Sequence, residues 1–204
     1  MSLPPLSKQL CPAYPVLDRQ TWQNTLGRHY SVATRMDRIF KTCYPIITTE
    51  LLDELVEFLK YGRVLEVGAG SGYLSRLLSD RGMVMDAIDS RKGPNTRQQW
   101  WEMDKLYYNV EQVDSADVDL TPYETILMTW PCQSDAALKL VQRMTPGQFL
   151  LYHGESRGGC CATKEFFDYL NSVSFKPVNV DDMDDSAVTD PACMEYWMAY
   201  VKVL

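Results

Sequence analysis

The 204-residue chain has no apolar run approaching the roughly 20 residues that a membrane-spanning helix requires. Its start, Met1-Ser-Leu-Pro-Pro-Leu6, has neither a basic opening nor a long apolar centre, so no secretory signal is expected. Six cysteines, at 11, 43, 132, 160, 161 and 193, include no Cys-x-x-Cys pair, and two of them are adjacent. That spacing argues against a zinc site or a disulfide framework, so no metal is expected. Reduced thiols in a cytoplasmic setting are the expectation. Net positive charge is also missing: the balance is −7, which argues against non-specific nucleic-acid binding. What is present is ordinary for a soluble globular protein, with 46% apolar and 23% charged residues. The length suits one domain with a sizeable core and an accessory segment.

The acidity is uneven. Residues 1–42 carry six Lys/Arg (8, 19, 28, 35, 38 and 41) against Asp18 and Asp37, a net +4 that leaves −11 for the other 162 residues. Two readings stand for this leading segment: a solvated helix face, or a local contact with an anionic partner such as nucleic acid, to which Arg91, Lys92 and Arg97 add charge.

One stretch organises the rest. In Arg63-Val-Leu-Glu-Val-Gly-Ala-Gly-Ser-Gly-Tyr-Leu-Ser-Arg-Leu-Leu78, the run Val64, Leu65, Val67 has the character of a buried parallel strand. Gly68, Gly70 and Gly72 permit a tight turn with backbone close to a ligand. Leu74, Leu77 and Leu78 then recur at helical spacing. Strand, glycine turn and helix together open a nucleotide-binding half-fold, whose ligand lies beyond the carboxyl end of the strand. Glu66 is an acid inside the strand, costly there unless something pairs with it. Asp89 ends the next apolar run, Met83-Val-Met-Asp-Ala-Ile88, where an acid can accept both ribose hydroxyls.

These residues resemble motif I of the class I S-adenosylmethionine (SAM)-dependent methyltransferases, with Asp89 at the acid that ends their second strand. The resemblance implies a Rossmann-like α/β fold: a seven-stranded, mostly parallel sheet with an antiparallel last strand, preceded by an N-terminal helical segment. It implies SAM as cofactor, cradled by Glu66, Gly68, Ala69, Gly70, Gly72, Tyr73, Asp89 and Ser90. Tyr73 stands where the dinucleotide Gly-x-Gly-x-x-Gly pattern needs its third glycine, which weighs against a nucleotide-dependent oxidoreductase.

In chain order, Pro4, Pro5, Pro12 and Pro15 oppose regular structure before about residue 18. Residues 18–42 read as helix, divisible in two, with Trp22, Leu26, Tyr30, Val32, Met36, Ile39 and Phe40 on apolar faces. Thr48 or Thr49 caps a further helix striped by Leu51, Leu52, Leu55, Val56, Phe58 and Leu59 and ended by Gly62. Residues 1–62 therefore read as tail and helical cap, and 63–204 as the SAM-binding domain. Trp100, Trp101, Tyr107 and Tyr108 form either an aromatic wall near ligand or a helix face packed on the sheet. Residues 108–113 read as the third strand. Asp114 and Ser115 follow where the family often places an acid against the adenine amine; a loop carboxylate is the other reading.

Residues 123–129 read as the fourth strand, ending in Trp130-Pro131-Cys132. The place resembles the Asp/Asn-Pro-Pro-aromatic motif of amino-methyltransferases, but Trp130 replaces the polar residue and Cys132 the second proline. Trp130 and Pro131 are left at the pocket mouth, either against the acceptor or against the adenine edge. Ser134 begins a helix with Ala136, Ala137, Leu140, Val141 and Met144 inward, and residues 149–152 form the fifth strand. The loop His153-Gly-Glu-Ser-Arg-Gly-Gly-Cys-Cys161 and a helix over 163–171 follow. Gly154-Glu155, Gly158-Gly159-Cys160 and Phe166-Phe167 resemble a little-described group of bacterial and phage methyltransferase-like proteins, over residues 30–175. Two strands near 175–180 and 195–203, joined through an acidic turn at 181–185 without a helix, close the sheet.

Methyl transfer needs alignment above all, and a base only if the acceptor must lose a proton. Glu155 leads the candidates for that base, followed by His153 and Tyr30; a carboxylate bonding loop amides is the other reading of Glu155. Cys160 and Cys161 read as small buried residues. The expected activity is methyl transfer to an unidentified acceptor, whether small molecule, nucleobase or protein. The alternative is a SAM-binding protein that transfers nothing.

Overall fold

The computed structural model describes residues 10–91, 106–157 and 159–204. Its sheet holds β1 (Arg63–Val67), β2 (Val84–Ile88), β3 (Val110–Glu111), β4 (Thr125–Thr129), β5 (Phe149–Glu155), β6 (Phe175–Val178) and β7 (Glu195–Lys202). The order is β3-β2-β1-β4-β5-β7-β6. Neighbours from β3 through β5 are parallel, and β7 runs antiparallel to both β5 and β6. This is the expected seven-stranded, mostly parallel α/β sheet.

Each face of the sheet is buried, which is why β1 and β4 read as apolar runs rather than alternations. One face packs α3 (Thr49–Leu59) and α4 (Tyr73–Asp80), with Leu51, Leu52, Leu55, Leu59, Leu74 and Leu78 against Val64, Leu127, Leu151 and Trp197. The other packs α5 (Ala136–Arg143) and α6 (Lys164–Leu170), with Leu140, Val141, Phe166 and Phe167 against Leu65, Ile126 and Leu150. The α3 leucines are almost fully buried. At about 1.5–3 kcal/mol for each side chain removed from water, that stripe alone fastens the helix to the sheet.

Ahead of α3 lie α1 (Arg19–His29) and α2 (Val32–Lys41). Asp18, Ser31 and Thr48 cap α1, α2 and α3, accepting from the amides of Thr21, Thr34 and Leu51 at 2.7, 3.2 and 3.0 Å. The two-helix division and the Thr48 cap agree with the sequence reading.

Several expectations need correction. β5 runs on through His153 and Gly154 to Glu155, because β7 pairs with it residue by residue as far as Glu155↔Glu195. Gly154 suits that passage: a Cβ there would lie 2.9 Å from Tyr152 Oη and 3.0 Å from Cys161 Sγ. The edge strand β3 keeps only the pairs Ala87↔Val110 and Ile88↔Glu111. The acidic stretch after β6 is a short helix, α7 (Asp181–Ser186), pinned by buried Met183. Val32, Phe40, Ala136 and Cys160 are exposed; each sits just off the buried arc of its helix or on a loop. Trp100, Trp101, Lys92 and Arg97 lie outside the described residues.

Candidate functional site

The glycine turn leaves β1 at the carboxyl end of the sheet. Gly68 and Ala69 continue the ladder by donating to the Ile88 carbonyl at 2.9 and 3.0 Å. Gly70 then donates to Asp89 Oδ2 at 3.0 Å, and Arg91 N–H donates to Asp89 Oδ1 at 2.7 Å. One carboxylate thus holds the turn after β1 against the turn after β2. Gly68 and Gly70 have φ of +74° and +55°, and a Cβ built on either meets no atom of the described residues within 4 Å. The backbone there borders open space, with Asp89 and Ser90 partly exposed beside it.

Gly72 and Tyr73 serve differently. A Cβ on Gly72 would lie 2.8 Å from both Tyr108 Cβ and Val110 Cγ2, so this glycine lets α4 start against the sheet edge. Tyr73 is buried, its ring edge-on to Tyr107 at 5.4 Å and its hydroxyl donating to the Tyr14 carbonyl at 3.2 Å. Both positions are engaged in packing. Tyr107 and Tyr108 are likewise held by backbone carbonyls of Lys41 and Met85.

Glu66 finds its partner in α4. Its Oε2 accepts from the Ser75 amide at 3.0 Å and from the Ser75 hydroxyl. Burial pushes this carboxyl up to about 7; the Ser75 bonds oppose that rise and the Asp89 charge adds to it. Glu66 therefore ties β1 to the helix that follows the turn. Asp114 accepts from Ala116 N–H at 3.1 Å in an Asx turn at the end of β3, and the Ser115 carbonyl accepts from Arg143 at 2.7 Å.

Trp130 leaves β4 with φ of +49°, in the left-handed region where a bulky residue is strained. The surroundings over-determine it. Its amide donates to the His153 carbonyl at 2.7 Å. Its indole Nε1 donates to Glu195 Oε2 at 2.9 Å, Tyr44 stacks on the ring at 5.0 Å, and the Arg35 guanidinium lies 5.7 Å from its centroid. Pro131 follows, its carbonyl accepting from Ala162 N–H at 3.1 Å, and the backbones of Cys132 and Cys161, both free thiols, pair in an isolated antiparallel β-bridge. The turn after β4 is stitched to the loop after β5.

Glu155 is occupied by that loop. It accepts from Cys160 N–H at 2.6 Å, and this bond above all holds its carboxyl below the usual range. A carboxylate so stabilised is a weak base. His153 is buried in β5 with its ring 4.5 Å from Trp197; burial, then the Arg38 charge, pushes it down to about 3. Burial, and next the bond to Asp190, pushes Tyr30 up to about 12.

The sequence reading missed a buried network beside this site. Asp190 Oδ2 accepts from Tyr30 Oη at 2.5 Å, Arg35 Nε at 3.0 Å and Arg38 Nη2 at 3.1 Å, while its own amide donates to Glu195 Oε1 at 3.0 Å. The signal lay in spacing: Arg35 and Arg38 share a helix face at i,i+3, and Glu195 shares a strand face with Trp197. This network and the Lys41–Asp37 pair engage three of the six cations that suggested an anionic partner.

Sheet order and glycine turn together define a class I methyltransferase-type architecture. No protein-family model matches the sequence, and no curated protein matches it. Among solved structures, magnesium protoporphyrin IX methyltransferase (ChlM) from Synechocystis PCC 6803, with bound SAM, is similar at a TM-score of 0.53 and 14% identity, covering 90% of this chain and 90% of that one. A structure solved for the conversion of a disulfide bond into a thioacetal group during echinomycin biosynthesis reaches 0.50 at 14% identity, covering 76% of this chain and 82% of that one. At such identities the likeness establishes the fold. Among the described residues no helix is long and apolar enough to cross a membrane, and no group of three or more His, Cys, Asp or Glu is placed to hold a metal.

Proposed function

We propose that this protein is a SAM-dependent methyltransferase. The observation that carries the reading is the open backbone cradle at Gly68 and Gly70, held against Asp89 at the carboxyl end of β1. A Cβ at either glycine would project into the space a ligand needs. Asp89 keeps lone pairs beyond its two amide bonds, enough to accept from a ribose. Asp114 and Ser115 flank the adenine end in this reading, Ala69 and Ser90 complete the wall, and Glu66 keeps the turn on its helix. When bound, SAM supplies an electrophilic methyl that an acceptor's lone pair takes, the carbon–sulfur electrons staying on sulfur. The chain's own work is to orient: Trp130, braced by Tyr44 and Glu195, and Pro131 border the acceptor side. With Glu155 held ionised by Cys160, the reading assigns no proton abstraction to it.

A second reading, SAM binding without transfer, is favoured by one observation. Trp130 fills the position after β4 with an indole whose polar atom is already bonded to Glu195. Calorimetry with SAM and its demethylated product, S-adenosylhomocysteine, tests the shared core of both readings. Binding is expected, and Asp89→Ala should weaken it about 10- to 100-fold by removing charge-assisted hydrogen bonds. No binding by a folded sample refutes both. Radiolabelled methyl transfer into cell-extract fractions then separates enzyme from binder.

A further inference from the structure

A second cavity lies two strands along from the glycine cradle. It encloses about 270 Å³ between β5, β7 and the segment joining α7 to β7, and none of its walls belongs to the glycine turn. Ile46 and Val188 give it apolar surface; His153, Trp197, Glu195 and Asp184 give it polar groups. His153 and Trp197 are 4% and 2% exposed, and His153 Nδ1 and Trp197 Nε1 are buried with no hydrogen-bond partner among the described residues. An indole N–H can only donate, and leaving it unpaired in the interior is costly. Two residues that line one cavity each carry an unpaired ring nitrogen, which marks a place where a ligand can supply what the protein does not.

Charge narrows that ligand. Among the described residues no Lys or Arg lines the cavity, whereas two carboxylates do. Glu195 is buried and accepts, among the described residues, from Asp190 N–H and Trp130 Nε1, and Asp184 accepts from the Trp197 backbone amide at 3.1 Å. Each retains lone pairs. Burial raises the pKa of both, so a donor or a cation brought against them is favoured. Arg38, whose charge reaches both His153 and Glu195, is paired with Asp190. His153, pushed down to about 3, stays neutral and adds no positive charge.

Resting on the methyltransferase reading, we propose that this cavity is the acceptor subsite and that it selects a one-ring, amine-bearing small molecule with a hydrogen-bond acceptor on the ring, against anions and nucleic acid. The ring lies beside His153 and Trp197, its acceptor atom takes the indole Nε1–H of Trp197, and the amine faces Glu195 and Asp184. Position fits the role. His153 pairs with Thr129, the residue before Trp130. Two strand spacings separate β5 from β1, about 10 Å.

The test uses two probes of the same ring and opposite charge, tyramine and 4-hydroxyphenylacetate, titrated calorimetrically into the full chain with S-adenosylhomocysteine present. Tyramine should bind at least about tenfold more tightly. Val188→Phe, which fills the cavity, should weaken tyramine about tenfold while leaving S-adenosylhomocysteine binding unchanged. Trp197→Phe, which removes the indole donor while keeping a smaller aromatic ring, should weaken it about fivefold and provides an independent arm should Val188→Phe misfold. Equal affinities, preference for the anion, absence of binding by either probe, or indifference to both substitutions overturns the proposal. Loss of S-adenosylhomocysteine binding with tyramine still bound leaves the cavity standing and sinks the methyltransferase reading instead.

Discussion

Replacing Glu66 with glutamine tests whether the acid inside β1 is a structural tie kept by burial. In the folded protein its carboxyl is pushed from 4.5 up to about 7, chiefly by burial. Between those values the unfolded chain has released a proton that the folded chain retains. Stability therefore falls as pH rises from about 4.5 to about 7, and stays lower above that. At about 1.4 kcal/mol for each pH unit, the loss reaches about 3 kcal/mol. Glu66→Gln keeps an acceptor for the Ser75 amide and hydroxyl but cannot ionise. Thermal unfolding followed by circular dichroism should show the variant more stable than the parent by about 6–12 °C near pH 8. Near pH 4.5 the two should melt together. A variant that is less stable near pH 8, or whose difference from the parent does not change with pH, would refute the account of Glu66 as a buried, partly protonated tie.

Two neighbouring glycines should behave differently on substitution. Gly72→Ala forces a Cβ into Tyr108 and Val110 and should cost about 2–4 kcal/mol in chemical denaturation. Gly70→Ala meets open space, should cost only the about 1–2 kcal/mol of its left-handed backbone, and should instead weaken SAM about tenfold or more in calorimetry. Equal destabilisation by both would undo the distinction between packing glycine and cradle glycine. Asp190→Asn strips the shared anion from Arg35 and Arg38 and should cost about 3–5 kcal/mol. The bonds from Tyr30 and Ala192 and the two arginines outweigh the upward push of burial on Asp190, so its contribution is present at neutral pH and lost as pH falls through its folded pKa. Hydrogen exchange should report the loss first in residues 19–42; unchanged protection there would count against the network as the fastening of the cap.

Local signals determined much of this protein. Val64, Leu65, the glycines and the leucines of α4 specify strand, turn and helix from neighbours a few residues apart, and Thr48 marks its helix start by its own hydroxyl. The acid at 89 was legible because a strand of known length brings its end beside the turn after β1. Only tertiary structure decided which residues those signals serve. Gly72 and Tyr73 look like turn residues in sequence but face Tyr108 and Tyr107, contacts from more than 30 positions away. Glu155 looks like a poised acid until the loop folds back and Cys160 N–H takes it. His153 and Trp197 are 44 residues apart and meet because antiparallel pairing of β7 on β5 sets them side by side. Periodicity and turn chemistry act within one segment, so a single chain displays them. Burial, ion pairing and cavities arise between segments, and no local pattern records which partner a side chain will find.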